Sequence, residues 1–180
     1  MKKIKINKKK LDINIKNVVA YYMIRKDNMK KIVIFDLDGT LAIIDKRRDL
    51  STKDNGKFDW DVFFDPKNID LDLPNTPVIK TAQLFHSQGF KIVIFSGRSK
   101  ATKDATRVWL DKHDVPFDVL KMRPTSDDWH FMKDSDLKQH WLDDLQIKDD
   151  VFAVFDDRNQ VVDMWRQNGL TVFQVADGDF

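Results

Sequence analysis

The stretch "KKIVIFDLDGTLA", residues 30–42, runs four apolar residues, Ile32 to Phe35, directly into Asp36, Asp38 and then Gly39-Thr40. Hydrophobicity that is continuous rather than alternating predicts a strand buried on both faces, as in a parallel sheet. Two carboxylates at the end of such a strand repel each other, and neither is tolerated in a core without compensation. A cation or a proton is therefore expected beside them.

Apolar runs of the same kind recur at 91–95, 117–121, 151–155 and 171–175. Between them lie stretches of helical period. Residues 77–89 carry Ile79, Ala82, Leu84 and Phe85 and stop at Gly89, and 103–113, 136–145 and 159–169 read the same way. Strands alternating with helices predict βαβ crossovers and a doubly wound, Rossmann-like α/β domain, its parallel five-stranded sheet flanked by helices on both faces. The polar interval 43–75 and the short interval 122–132 have room for a small flap over the site and not for a large cap.

With 180 residues, 42% hydrophobic and 33% charged, the chain suits one ordinary globular domain. No apolar run approaches the roughly 18 residues that span a bilayer, so no membrane partner is expected. The absence of cysteine excludes disulfides and thiolate metal sites, and a reducing, cytoplasmic setting fits best. The net charge of +2 hides an asymmetry: residues 1–31 hold eleven Lys/Arg against two Asp, and the remainder twenty against twenty-seven. Residues 1–28 read as a basic N-terminal extension, either a solvated tail or an arm that helps a polyanion approach an acidic body. The folded domain is expected over 29–180.

In open α/β sheets the ligand site lies beyond the carboxyl ends of the strands. Three such ends carry chemistry here: Asp36-Leu37-Asp38-Gly39-Thr40, Ser96-Gly97-Arg98 and Asp156-Asp157-Arg158, with Lys133 and Lys138 on a helix before the last. The combination resembles the haloacid dehalogenase (HAD) superfamily of phosphotransferases, with all four motifs in order. That resemblance implies a nucleophile at Asp36 and a general acid/base at Asp38. It also implies phosphate-oxygen donors at Ser96 and the Gly97 amide, and a charge-neutralising lysine. Lys138, eighteen residues before Asp156, has the family's spacing, and Lys133 is the alternative. A carboxylate attacks a phosphate ester only where cations neutralise the site. One Mg²⁺ among Asp36, the backbone of Asp38 and the Asp156/Asp157 pair would do so with the oxygen ligands that ion prefers.

From "FDDRNQVVDMWRQNGLTVFQVADGDF" back through "SGR" and "IVIFDLDGTLA", residues 31–180 are similar to the 3′-phosphatase domain of bacteriophage polynucleotide kinase/phosphatase. There the Ser-Gly pair is extended by an arginine that matches Arg98, and a flap arginine eleven residues after the nucleophile falls on Arg47, with Arg48 as the alternative. Both positions would bind the substrate phosphate. None of the six glycines opens a GxxxxGK[ST] loop, so kinase activity is not expected from this chain and a separate kinase or ligase is a candidate partner. Trp129, His130 and Phe131 either stack a terminal base or buttress the lysine helix. Trp109, Trp141 and Trp165 read as core, and the four histidines show no ligand spacing. The leading expectation is a Mg²⁺-dependent phosphatase for the 3′ ends of RNA or DNA. Two others compete: a HAD nucleotidase for small molecules, and a non-catalytic nucleic-acid-binding module.

Overall fold

A computed structural model describes residues 31–126, 129 and 131–178; the basic stretch 1–28 and His130 lie outside the described residues. The chain begins with β1 (Ile32–Asp36), then β2 (Ala42–Ile43), α1 (Asp45–Ser51) and α2 (Trp60–Phe63). A 3-10 turn at Pro66–Leu71 leads to β3 (Leu73–Pro74) and α3 (Thr76–Ser87). Next come β4 (Lys91–Ser99), α4 (Lys103–Lys112), β5 (Val119–Arg123) and α5 (Asp134–Leu145). Strand β6 (Val151–Asp156), helix α6 (Asn159–Gln167) and strand β7 (Val172–Gln174) complete it. Five strands form one sheet in the order β5-β4-β1-β6-β7, and every pairing in it is parallel.

The sheet is buried on both faces, as the continuous apolar runs require. Val33, Phe35, Ile92 and Ile94 point to one face, under Ile79 and Ala82 of α3 and Trp109 and Leu110 of α4. Ile34, Val93, Phe95 and Val154 point to the other, under Leu137 and Trp141 of α5 and Val161 and Trp165 of α6. On the first face the rings of Phe35, Phe155 and Phe173 stack across three adjacent strands, with centroids 4.7 and 4.9 Å apart. All three tryptophans expected in the core are at most 4% exposed.

Register places the site. Phe35 pairs with Phe155 and Asp36 with Phe95, so Asp156 and Ser96-Gly97 flank the carboxyl end of β1. Strand order reverses there, because the chain builds β4 and β5 on one side of β1 before crossing to β6 and β7. Two boundaries differ from expectation. The third strand is displaced two residues toward the C-terminus: at Asp118 the backbone amide donates to the Ile92 carbonyl, but the side-chain carboxylate takes the Ile92 amide and Lys91. The Ser96-Gly97-Arg98 motif lies within β4 and not beyond it, at a break in register between Ser96 and Ser99 that turns these residues toward the site.

The expected flap is the excursion between β2 and β3, an antiparallel pair in which Ala42 meets Pro74 and Ile43 meets Leu73. Ile44, Phe63 and Ile69 anchor the excursion to the first core. Among the described residues no helix is long and apolar enough to cross a membrane.

Candidate active site

The turn after β1 is closed by backbone bonds from the Gly39 amide to Ala42 and from the Ala42 amide to Leu37. Gly39 has φ +89°, and a Cβ there would sit 2.1 Å from Asp157 Oδ2. Only glycine permits both the turn and the approach of that carboxylate. Thr40 then donates from Oγ1 to Asp157 Oδ1 at 3.0 Å, tying the first motif to the last.

Asp36, Asp156 and Asp157 are all buried, and one carboxylate oxygen from each lies within 4.8 Å of the other two. Lys138, 3% exposed, donates from Nζ to Asp36 Oδ1 at 2.5 Å and to Asp156 Oδ2 at 2.8 Å. Trp165 Nε1 donates to the same Asp156 oxygen at 3.1 Å. Burial works against the Lys138 charge, but Asp156 and Asp36 outweigh it and hold the ammonium well above its ordinary pKa. Three ionised carboxylates against one ammonium would leave two negative charges. Burial first, with Asp156 and Asp157 adding to it against Lys138, raises the Asp36 carboxyl well above its usual range. Burial and then Asp156 push Asp157 up to about 6. A deficit of two charges among oxygen-only donors suits a hard divalent cation of the Mg²⁺ kind.

Asp38 belongs to a second cluster. Its Oδ1 accepts from Arg47 Nη2 at 2.6 Å, from Arg98 Nε at 2.8 Å and from Arg98 Nη2. Both guanidiniums are fully buried, and both also bind Asp72: Arg47 Nε to Oδ1 at 2.8 Å and Arg98 Nη2 to Oδ2 at 2.6 Å. Arg47 further donates to the Phe63 carbonyl and lies 4.2 Å over the Phe63 ring, while Trp109 Nε1 holds the Asp72 carbonyl. Two arginines and two aspartates make a neutral square, buried except at Asp38, which opens on the cavity. Burial opposes the Asp38 charge, yet Arg98 and Arg47 hold its carboxyl below the usual range.

This geometry departs from the sequence reading at the two arginines and agrees with it in setting the Asp38 carboxylate apart from the metal ligands. Arg47 and Arg98 were expected on the substrate phosphate, but they are buried against Asp38 and Asp72 and do not line the cavity. The Asp38 carboxylate, turned to the arginines, is not part of the Asp36-Asp156-Asp157 cluster, which leaves only its backbone for a metal. Ser96 is fully buried, its Oγ accepting from the Arg98 amide at 3.2 Å, while Gly97 lines the cavity. Lys133 is exposed on the cavity lining, and Lys138 alone of the two reaches Asp36.

Three further residues complete the arrangement. Asp72 is one. Asp134, one helical turn before Lys138 on α5, accepts from Arg123 and Arg158 and lies where a Cβ on Gly97 would meet its Oδ1 at 2.8 Å. Arg123 in turn donates to the carbonyls of Gly97, Trp129 and Met132, at 3.2, 2.6 and 2.8 Å, fixing the loop after β5. The i, i+4 spacing of Asp134 and Lys138 was the available signal. Above these groups opens a cavity of about 770 Å³ that reaches Asp36, Asp38, Asp156 and Asp157.

Residues 30–180 match the model of the polynucleotide kinase (PNKP) phosphatase domain. The chain belongs to that family. PNKP phosphatase domains carry the HAD fold, and the chain is accordingly a phosphomonoesterase. A protein of Autographa californica nuclear polyhedrosis virus, named for polynucleotide kinase and RNA ligase activities, is 35% identical over 163 residues. That alignment covers 89% of this chain and 21% of the viral protein. A chain in the solved Pnkp1/Rnl/Hen1 complex is 36% identical with a TM-score of 0.67, over 84% of this chain and 48% of its own length. The PNKP-family chain thus spans half or less of these relatives. CbbY of Rhodobacter sphaeroides, solved with phosphate, shares the fold at 14% identity and a TM-score of 0.55, over 84% of this chain and 88% of that one.

Proposed function

We propose that this chain is a Mg²⁺-dependent polynucleotide 3′-phosphatase, converting the 3′-phosphate of an RNA or DNA end to a 3′-hydroxyl. The observation that carries the reading is the division of the two β1 carboxylates between separate partners. Asp36 faces Lys138 and the acidic pair, while Asp38 faces the arginine square. Asp36 sits with the groups that would hold a cation, whose charge would ionise it for attack, and Asp38 lies outside that cluster on the cavity lining, where it can exchange a proton with the substrate.

Asp36, Asp156 and Asp157 would hold the Mg²⁺, and the ion would supply the positive charge that lets a carboxylate and a phosphate approach each other. Asp36 attacks phosphorus, an Asp36–phosphorus bond forms and the bond to the 3′-oxygen breaks. Asp38 gives that oxygen a proton. The substrate's own negative charge opposes the arginines and raises the Asp38 proton affinity as the phosphate arrives. Asp38, again a carboxylate, then takes a proton from water, whose oxygen attacks phosphorus and releases Asp36 and orthophosphate. Lys138 stays on Asp36 and offsets charge throughout.

The viral relative's name and the Pnkp1/Rnl/Hen1 assembly support a place in nucleic-acid end repair, beside kinase and ligase functions. Phosphate release is the test, measured on matched oligonucleotides bearing a 3′- or a 5′-phosphate and on the 3′-mononucleotide. Release confined to the 3′-phosphorylated oligomer is expected. Equal or faster release from the mononucleotide would move the function to nucleotide metabolism.

Metal binding carries its own prediction. An acid whose folded pKa is raised favours the folded state at low pH, and that contribution is lost as pH rises from about 4, the unfolded value, through the folded one. For Asp157 the upper end of that window is about 6. Protons and Mg²⁺ therefore compete for the same oxygens. The rise in Tm on adding MgCl₂ is expected to be small at pH 5 and several degrees at pH 7.5. An equal shift at both pH values would count against these carboxylates as the ligands.

A further inference from the structure

The reaction uses the acidic end of the cavity and leaves its aromatic wall unexplained. That wall comes from the flap. Asp59 caps the short helix α2, its carboxylate accepting from the amides of Asp61 and Val62. On this turn Trp60 lies edge-on to Phe58 at 4.6 Å and stacks with Phe64 at 5.7 Å and an interplanar angle of 18°. Phe63 beneath them is buried and carries the Arg47 guanidinium on its face, so the wall is fixed to the same arginine that holds Asp38. Trp60 itself is 60% exposed and lines the cavity that reaches Asp36. Across the chain, Phe131 adds a ring that is 90% exposed to the same lining.

A phosphate group alone gives no reason for that surface. At about 770 Å³ the cavity is in the range that takes a whole small molecule rather than an oxyanion. Its lining also carries Arg48 and Lys133, cationic groups suited to a phosphodiester backbone. An exposed indole braced by neighbouring rings is a platform for a planar partner. Nucleobases are planar, and every base has a face to offer.

We propose that the base of the nucleotide bearing the scissile phosphate stacks on Trp60, so that the enzyme reads a nucleobase beside the phosphate without reading its identity. This rests on the 3′-phosphatase reading above and adds the feature by which a nucleotide end is preferred to a bare phosphomonoester. Phe58 and Phe64 position Trp60, and the flap is held in place by Phe63 and Arg47.

The test compares pairs of oligonucleotides with the same 3′-phosphate, one carrying a base on the terminal nucleotide and the other abasic there. With the wild-type enzyme and Mg²⁺, kcat/KM is expected to favour the base-bearing end by about tenfold, within what base stacking on an aromatic ring contributes. Trp60→Ala should bring that ratio close to one, and Trp60→Phe should keep most of it. The ratio is read within each variant, so a general loss of activity does not mimic the effect. Equal rates on the two wild-type substrates would overturn the stacking while leaving the 3′-phosphatase intact. An unchanged ratio in Trp60→Ala would overturn the assignment to Trp60. Phosphate release from p-nitrophenyl phosphate with none from either oligonucleotide would overturn the 3′-phosphatase reading, and the stacking with it.

Discussion

Asp36→Asn is expected to stop phosphate release, lowering turnover by about four orders of magnitude or more, as loss of a catalytic nucleophile does. The amide is close in shape to the carboxylate, so the backbone of β1 and the Gly39 turn have no reason to move. Its effect on stability should run the other way. Asp36 is buried beside Asp156 and Asp157, and those charges and its own burial favour the neutral form. An asparagine is neutral from the start, and Lys138 keeps its 2.8 Å bond to Asp156. The metal-free variant should therefore melt no lower than the metal-free wild type, while its stabilisation by Mg²⁺ shrinks. Turnover near that of the wild type would remove Asp36 from the role of nucleophile. A collapse of Tm would show instead that the Asp36–Lys138 pair is structural.

Asp38→Asn is the second large effect, a loss of about 10²- to 10⁴-fold, the usual contribution of a positioned acid/base. Its diagnostic lies in the leaving group. With p-nitrophenyl phosphate the departing phenolate needs no proton, so transfer to Asp36 should remain fast in the variant. Release from Asp36 still needs a base for water. A burst of p-nitrophenol about equal to the enzyme, followed by slow turnover, is the expected trace. On a 3′-phosphorylated oligonucleotide the leaving group is an alkoxide, so the first step slows as well and no burst should appear. A uniform loss on both substrates, without a burst, would point to Asp38 acting only through Arg47 and Arg98.

Much of this arrangement was legible in the sequence because the signals are local. Ile32–Phe35 had to be buried on both faces, and in the structure it is the central strand, with β4 and β6 on either side. The aspartates at the ends of β1 and β6 converge because parallel strands in register bring their carboxyl ends together. Lys138 was preferred to Lys133 because its distance from Asp156 matches the spacing of the family the motifs resemble, and in the structure it reaches Asp36. Tertiary choices left no such mark. Asp72 sits among several aspartates of the polar stretch 43–75, and nothing nearby distinguishes it from Asp70, which pairs with Lys112 at the surface. Only the folded flap brings Asp72 to Arg47 and Arg98. For the same reason the two arginines could be read as phosphate ligands. A guanidinium in a motif announces an anionic partner, and here the partners it meets are carboxylates of the protein itself. Trp60 was not singled out either, because Phe58, Trp60, Val62, Phe63 and Phe64 crowd a run too short and too uniformly apolar for a period to say which ring faces outward.

The claim on which the rest depends is that Asp36 carries the phosphoryl group taken from a 3′ end. An oligonucleotide with a radiolabelled 3′-terminal phosphate, mixed with the enzyme and quenched in acid within the first turnovers, tests it directly. The label should leave the oligonucleotide only with Mg²⁺ present. Part of it should be bound to the wild-type protein and none to Asp36→Asn. Label that remains on the oligonucleotide, or that reaches orthophosphate equally well with Asp36→Asn, would contradict the account.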